Sequence, residues 1–176
     1  SINAARGIAF TVSNIANQFM RSFQVAVNPQ LVKNYAAERK EEMIALLLNN
    51  ITYALFLVWL ISLPVLFETK FLFDIWLKNP PDYAVTFAKI ILFKNLILCF
   101  ELPFNTVNGA TGKNKGFNLV VTICLGLTFP ISYLFLKMAY SAYVVFVVDL
   151  VLYFTIILIK ARILNRQINL TFISLL

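Results

Sequence analysis

Several stretches of this sequence are too long and too oily to be covered by a soluble fold. A helix crossing ~30 Å of hydrocarbon needs about 20 mostly apolar residues. Three segments meet that requirement directly: 42–66, interrupted only by Asn49, Asn50 and Pro64; 117–136, with Pro130 as a predicted kink; and 140–159, with the single charge Asp149. Two weaker segments complete the pattern. Residues 83–109 carry Lys89, Lys94 and Glu101 inside an otherwise apolar run, and residues 2–27 mix small and polar side chains with Arg6 and Arg21. The expected fold class is all-α: one polytopic transmembrane helix bundle over 1–176, with about five transmembrane helices.

Composition supports the same reading. The chain is 60% hydrophobic and 13% charged, against ~45–50% and ~25% for soluble domains. A chain of this size buries only ~70% of its surface on folding, so much of the apolar excess must face lipid. The net charge of +7 does not indicate nucleic acid, because that requires basic residues gathered on one soluble face. Here they fall mostly in short gaps between apolar runs. Cys99 and Cys124 lie inside apolar segments without metal-ligand spacing and read as packing residues. The sequence has no histidine, which excludes imidazole catalysis and histidine-bound metal. There is no Gly-rich phosphate loop and no Ser–His–Asp set; no cofactor and no metal are implied, and an enzyme is not expected.

The polar gaps 28–42, 68–82, 110–116 and 136–141 set the expected topology. With five spans, Lys33, Arg39, Lys40, Lys113, Lys115, Lys160, Arg162 and Arg166 share one side, against Lys70, Lys78 and Lys137 on the other. The positive-inside bias then puts residue 1 on the outer side and the tail after 160 in the cytoplasm. Phe73 and Trp76, in the aromatic stretch FLFDIWLKNPP, are expected as interface anchors. The chain opens on Ser1 without the pattern of a secretory leader, and reads as part of a longer protein.

Charges within the spans are the candidate functional residues, since an ionisable group at mid-bilayer costs at least ~2.5–3.5 kcal/mol and normally faces a polar cavity or a partner. Lys89 sits near the start of its span and can snorkel. Lys94 lies about eleven residues in, or ~16 Å along a helix. Glu101 falls two turns further on the same face, Pro103 loosens the helix there, and Asn105 and Asn108 prolong the polar stripe. Asp149 reads either as a proton or cation site or as the partner of a lysine on another helix. In the first segment, Asn3, Arg6, Thr11, Asn14, Asn17, Gln18, Arg21 and Gln24 recur at a near-helical period. A stripe of Arg, Asn and Gln suits a sugar phosphate, because guanidinium forks phosphate and amides match hydroxyls. The plainer alternative is a buried helix–helix seam, which the small residues Ala5, Ala9, Ser13 and Ala16 also suit.

The ordered runs NAARGIAFTVSNIANQF, FQVAVNPQLVKNYAA, LPVLFETKFLFDIWLKNPP, NGATGKNKGFN and FPISYLFLK resemble the bacterial Wzx-like O-antigen and capsule flippases. These belong to the multidrug/oligosaccharidyl-lipid/polysaccharide exporter superfamily. The resemblance implies spans eight to twelve of a 12–14-helix, two-lobed exporter, whose amino-terminal half would be a partner of this chain. It implies transport of undecaprenyl-pyrophosphate-linked oligosaccharide across the bacterial inner membrane by alternating access, in lipopolysaccharide or capsule biosynthesis. On that basis Arg6, Asn14, Asn17, Arg21, Lys94, Glu101 and Asn105 are expected along the substrate pathway, and Asp149 at ion coupling. Membrane lipids and the lipid-linked oligosaccharide are the expected partners. The rival readings are a drug/cation antiporter of the same superfamily, which should carry more acids and aromatics in its cavity, a membrane-embedded polysaccharide enzyme, and a structural subunit without cargo.

Overall fold

A computed structural model describes residues 2–77 and 81–168 of the chain. Among these residues it is all-helical, with α1 (Ile2–Ala36), α2 (Lys40–Leu77), α3 (Ala84–Leu98), α4 (Glu101–Thr111), α5 (Asn114–Lys137) and α6 (Val144–Ile168). The helices continue past the polar gaps expected between spans. The 28–42 gap is mostly the last turns of α1 and the start of α2, joined by a tight turn at Ala37–Arg39. Asn34 and Tyr35 carbonyls there accept from Arg39 and Glu38 N–H groups, and Glu38 takes the left-handed conformation, with φ 59°. This Schellman arrangement satisfies the carbonyls that a helix end leaves open. The last span starts at Val144 rather than 140 and runs to Ile168, so Lys160, Arg162 and Arg166 belong to the helix and not to a tail. The segment 169–176, expected on the cytoplasmic side, lies outside the described residues, as does Lys78.

Most of the expected 68–82 gap is helix too. α2 bends at Glu68 (φ −107°, ψ 23°) and then continues to Leu77. The Thr69 hydroxyl donates to the carbonyls of Val65 and Leu66, competing with the backbone for its own i−4 acceptor, a contact that bends helices. Phe73, expected as an interface anchor, is instead buried against Ala5, Ala9, Ala84, Phe87 and Ala88, while Trp76 stays exposed.

Three segments are long and apolar enough to cross a membrane by themselves: Lys40–Phe67, Asn114–Lys137 and Val144–Ile168. The expected spans 2–27 and 83–109 do not meet that standard. α1 has the length but a polar face, and the 83–109 segment is two helices of 15 and 11 residues. The break follows from Pro103. Its ring nitrogen has no hydrogen to give the carbonyl of Cys99, four residues back, and α3 ends there. The fully buried Gln24 of α1 replaces that donor: its Nε2 donates to the Cys99 carbonyl at 2.7 Å.

α1 is the central element. It buries Ala5, Ala9, Ser13, Ala16, Met20, Gln24 and Leu31, a stripe at i, i+3 and i+4 spacing. Small residues let backbones approach closely, and this stripe lies against α3 and α2. A second core joins Leu31, Leu47, Phe104, Phe117, Ile157 and Leu164 from α1, α2, α4, α5 and α6. α5 is held almost entirely by α6; its buried residues are Phe117, Cys124 and Ser132, Val120, Val121 and Ile131 are half-buried, and most of its other apolar side chains face outward.

Candidate functional site

The face of α1 beside the small-residue stripe forms one wall of a cavity of ≈740 Å³. Asn14, Asn17, Gln18 and Arg21 line it from α1, Lys94 from α3, Glu101 and Leu102 from α4, and Tyr153 from α6. Five of the sequence-derived pathway residues therefore meet here: Asn14, Asn17, Arg21, Lys94 and Glu101. The stripe is thus divided between two roles. Its amide and guanidinium side chains face the cavity, while Gln24 is internal and supports the α3–α4 break. The wall is fixed from behind by Asn95, a fully buried residue that the hydropathy reading passed over. Its Oδ1 accepts from the Ser13 hydroxyl and from Asn17 Nδ2, each at 3.0 Å. Asn17 Oδ1 has no hydrogen-bond partner among the described residues.

A second cavity of ≈590 Å³ is lined by Asn3, Arg6 and Phe10 of α1, Lys94 of α3, Thr128 of α5, and Phe146 and Asp149 of α6. The Arg6 guanidinium lies over the Phe10 ring at 5.4 Å, within reach of a cation–π attraction. Lys94 is common to both cavities. Its ammonium donates to Asp149 Oδ2 at 2.6 Å, so of the two readings of Asp149 from sequence, the structure shows the lysine-paired one. The same ammonium lies 4.2 Å from the centroid of the Tyr153 ring.

Lys94 and Glu101 sit on opposite sides of the helix break and are connected through α6. The Tyr153 hydroxyl donates toward Glu101, with both carboxylate oxygens at 3.2 Å. Glu101 opens α4, where the positive end of the helix dipole favours an anion. Beyond it, Lys160 Nζ is 4.0 Å from Glu101 Oε1 and donates to Asn105 Oδ1 at 2.9 Å. Asn105 is the partner of Lys160 and lines neither of these two cavities. Asn108, unlike the exposed Asn105, is internal, donating to Asn114 Oδ1 at 2.7 Å. Lys160, counted from the sequence as a tail cation, has a side chain only 2% exposed and lies over Phe117 at 5.1 Å. The signal that could have found it is its position one turn past Ile156 and Ile157 on the buried face of α6. Lys89 is exposed near the start of α3.

Stacked helices with outward apolar faces and charge-lined cavities between them define a class: a multi-pass membrane protein. The chain belongs to the MatE family, whose model matches residues 4–134. It is accordingly a membrane transporter of the multidrug/oligosaccharidyl-lipid/polysaccharide exporter superfamily, and that family consists of transporters rather than enzymes. The match runs from α1 through most of α5 and stops short of α6, which carries Asp149, Tyr153 and Lys160. No curated protein and no solved structure matches the chain.

Proposed function

We propose that this chain is the carboxy-terminal lobe of a lipid-linked oligosaccharide flippase, moving undecaprenyl-pyrophosphate-linked sugar units across the bacterial inner membrane by alternating access. One observation supports this most. Arg6 and Arg21 line successive cavities along one helix, and neither is in an ion pair among the described residues, whereas Asp149 is held by Lys94 and Glu101 by Tyr153 and Lys160. Two uncompensated guanidinium groups beside Asn14, Asn17 and Gln18 suit a cargo that carries phosphate charge and many hydroxyls. On this reading the second lobe is an amino-terminal half, residue 1 faces the periplasm and the carboxy-terminal tail faces the cytoplasm. A coupling cation would act at Asp149 by taking the carboxylate from Lys94.

The test is polysaccharide export by the full-length protein carrying Arg6→Glu or Arg21→Glu. Export is expected to fall by an order of magnitude or more at unchanged protein level, with Arg21→Lys intermediate. Export that survives both reversals would remove the reading. Glu101, an acid within the larger cavity, favours one alternative, a drug/cation antiporter. That alternative requires Glu101→Gln to abolish efflux of a lipophilic cation while Arg21→Glu leaves it intact.

A further inference from the structure

The two cavities meet at one side chain. Lys94 lines both, Asp149 lines only the one that holds Arg6, and Tyr153 lines only the one that holds Arg21. The ion pair at 2.6 Å, backed by the Tyr153 ring at 4.2 Å, is thus the partition between them. Arg6 and Arg21 are separated by fifteen residues of α1, ~22 Å along the helix axis at 1.5 Å per residue. Lys94 stands between them as a third cation, masked by a carboxylate.

We infer that the Lys94–Asp149 ion pair is a gate between the two cavities, opened when an anionic group of the cargo takes the carboxylate's place on Lys94. The cargo part of this inference rests on the function proposed above; the partition itself does not. The side chains of the pair are 20% and 29% exposed, so separating them does not strand an isolated charge in a dry interior, where the cost would be greatest. A phosphate brings more charge and more acceptor oxygens than a carboxylate and competes well for an ammonium. The Tyr153 ring keeps Lys94 in position while partners exchange, because its hydroxyl is tethered to Glu101. An anion would then pass among Arg21, Lys94 and Arg6 without losing contact with positive charge.

The experiment uses the full-length protein in sealed membrane vesicles, with Cys99→Ala and Cys124→Ala, and Thr128→Cys as reporter in the cavity that holds Arg6. A charged, membrane-impermeant thiol reagent is applied to one face or the other. Without ligand, labelling is expected from one face only. Asp149→Asn and Lys94→Gln should each add labelling from the second face, raised by an order of magnitude, and the charge swap Lys94→Asp with Asp149→Lys should restore one-sided labelling. Two-sided labelling before any substitution, or one-sided labelling in both neutralised variants, overturns the gate. Inorganic pyrophosphate should open the second face in the otherwise unsubstituted reporter and have no effect in Lys94→Gln. If Asp149→Asn labels from both faces but pyrophosphate changes nothing, the anion as opening agent is overturned. That failure is separate from the export result, because the labelling requires no transport.

Discussion

Lys160 shows what burial does to a charge that hydropathy places in a tail. Its ammonium is 2% exposed, with Asn105 and Glu101 as its polar neighbours. Hydrogen bonds involving a charged group contribute ~1.5–3 kcal/mol, so Lys160→Met should reduce stability by roughly that amount, measured by thermal unfolding in detergent. Adding Glu101→Gln should recover part of the loss, since the carboxylate is then no longer left without its cation. Lys94, Glu101 and Asp149 were legible individually, because any intramembrane charge is expensive and therefore conspicuous. Their connections were not. The Lys94–Asp149 and Tyr153–Glu101 contacts depend on how α6 is rotated against α3 and α4, and spacing within one helix carries no information about that rotation. Asn95 went unmarked because a single amide in an apolar run is a weak signal, and only its two donors from α1 reveal its role.

At the scale of elements, the α3–α4 break is a substitution of one donor for another. Pro103 withholds an N–H and Gln24 supplies one. An unsatisfied buried carbonyl costs ~1–3 kcal/mol, so Gln24→Leu should lower the unfolding free energy by about that much. Pro103→Ala in the same chain should offset the loss, since residue 103 then has its own N–H for Cys99; unfolding of the two single variants and the double variant forms the cycle that checks this. The proline was visible in the sequence and its loosening effect expected, but the division of 83–109 into two helices was not. Nor was the use of Gln24, which shares the period of the cavity-lining residues. The helices run on into the polar sequence beyond the expected spans, at 28–42, 68–82 and 159, for a common reason. Apolar runs mark where hydrocarbon ends, whereas hydrogen-bonded turns continue into polar sequence as at Asn28–Ala36 and Lys160–Ile168.

For the whole molecule, class was the most legible property, because it rests on the amount of apolar side chain rather than on its arrangement. α5 illustrates the point, with Leu119, Ile123, Leu125, Leu127 and Phe129 all exposed. Leu125 lies near the middle of this 24-residue helix. An arginine at a helix centre costs ~2.5–3.5 kcal/mol on insertion scales, so Leu125→Arg should visibly reduce the fraction resistant to alkaline extraction from membranes. Lys115→Arg, at the helix start, should leave it unchanged. The attachment of α5 through α6 has a mechanical consequence. Two helices are joined to the bundle largely by the contacts of α6 with α3 and α4 and by the shared core around Phe117, so loosening those contacts is expected to raise hydrogen exchange in α5 and α6 together.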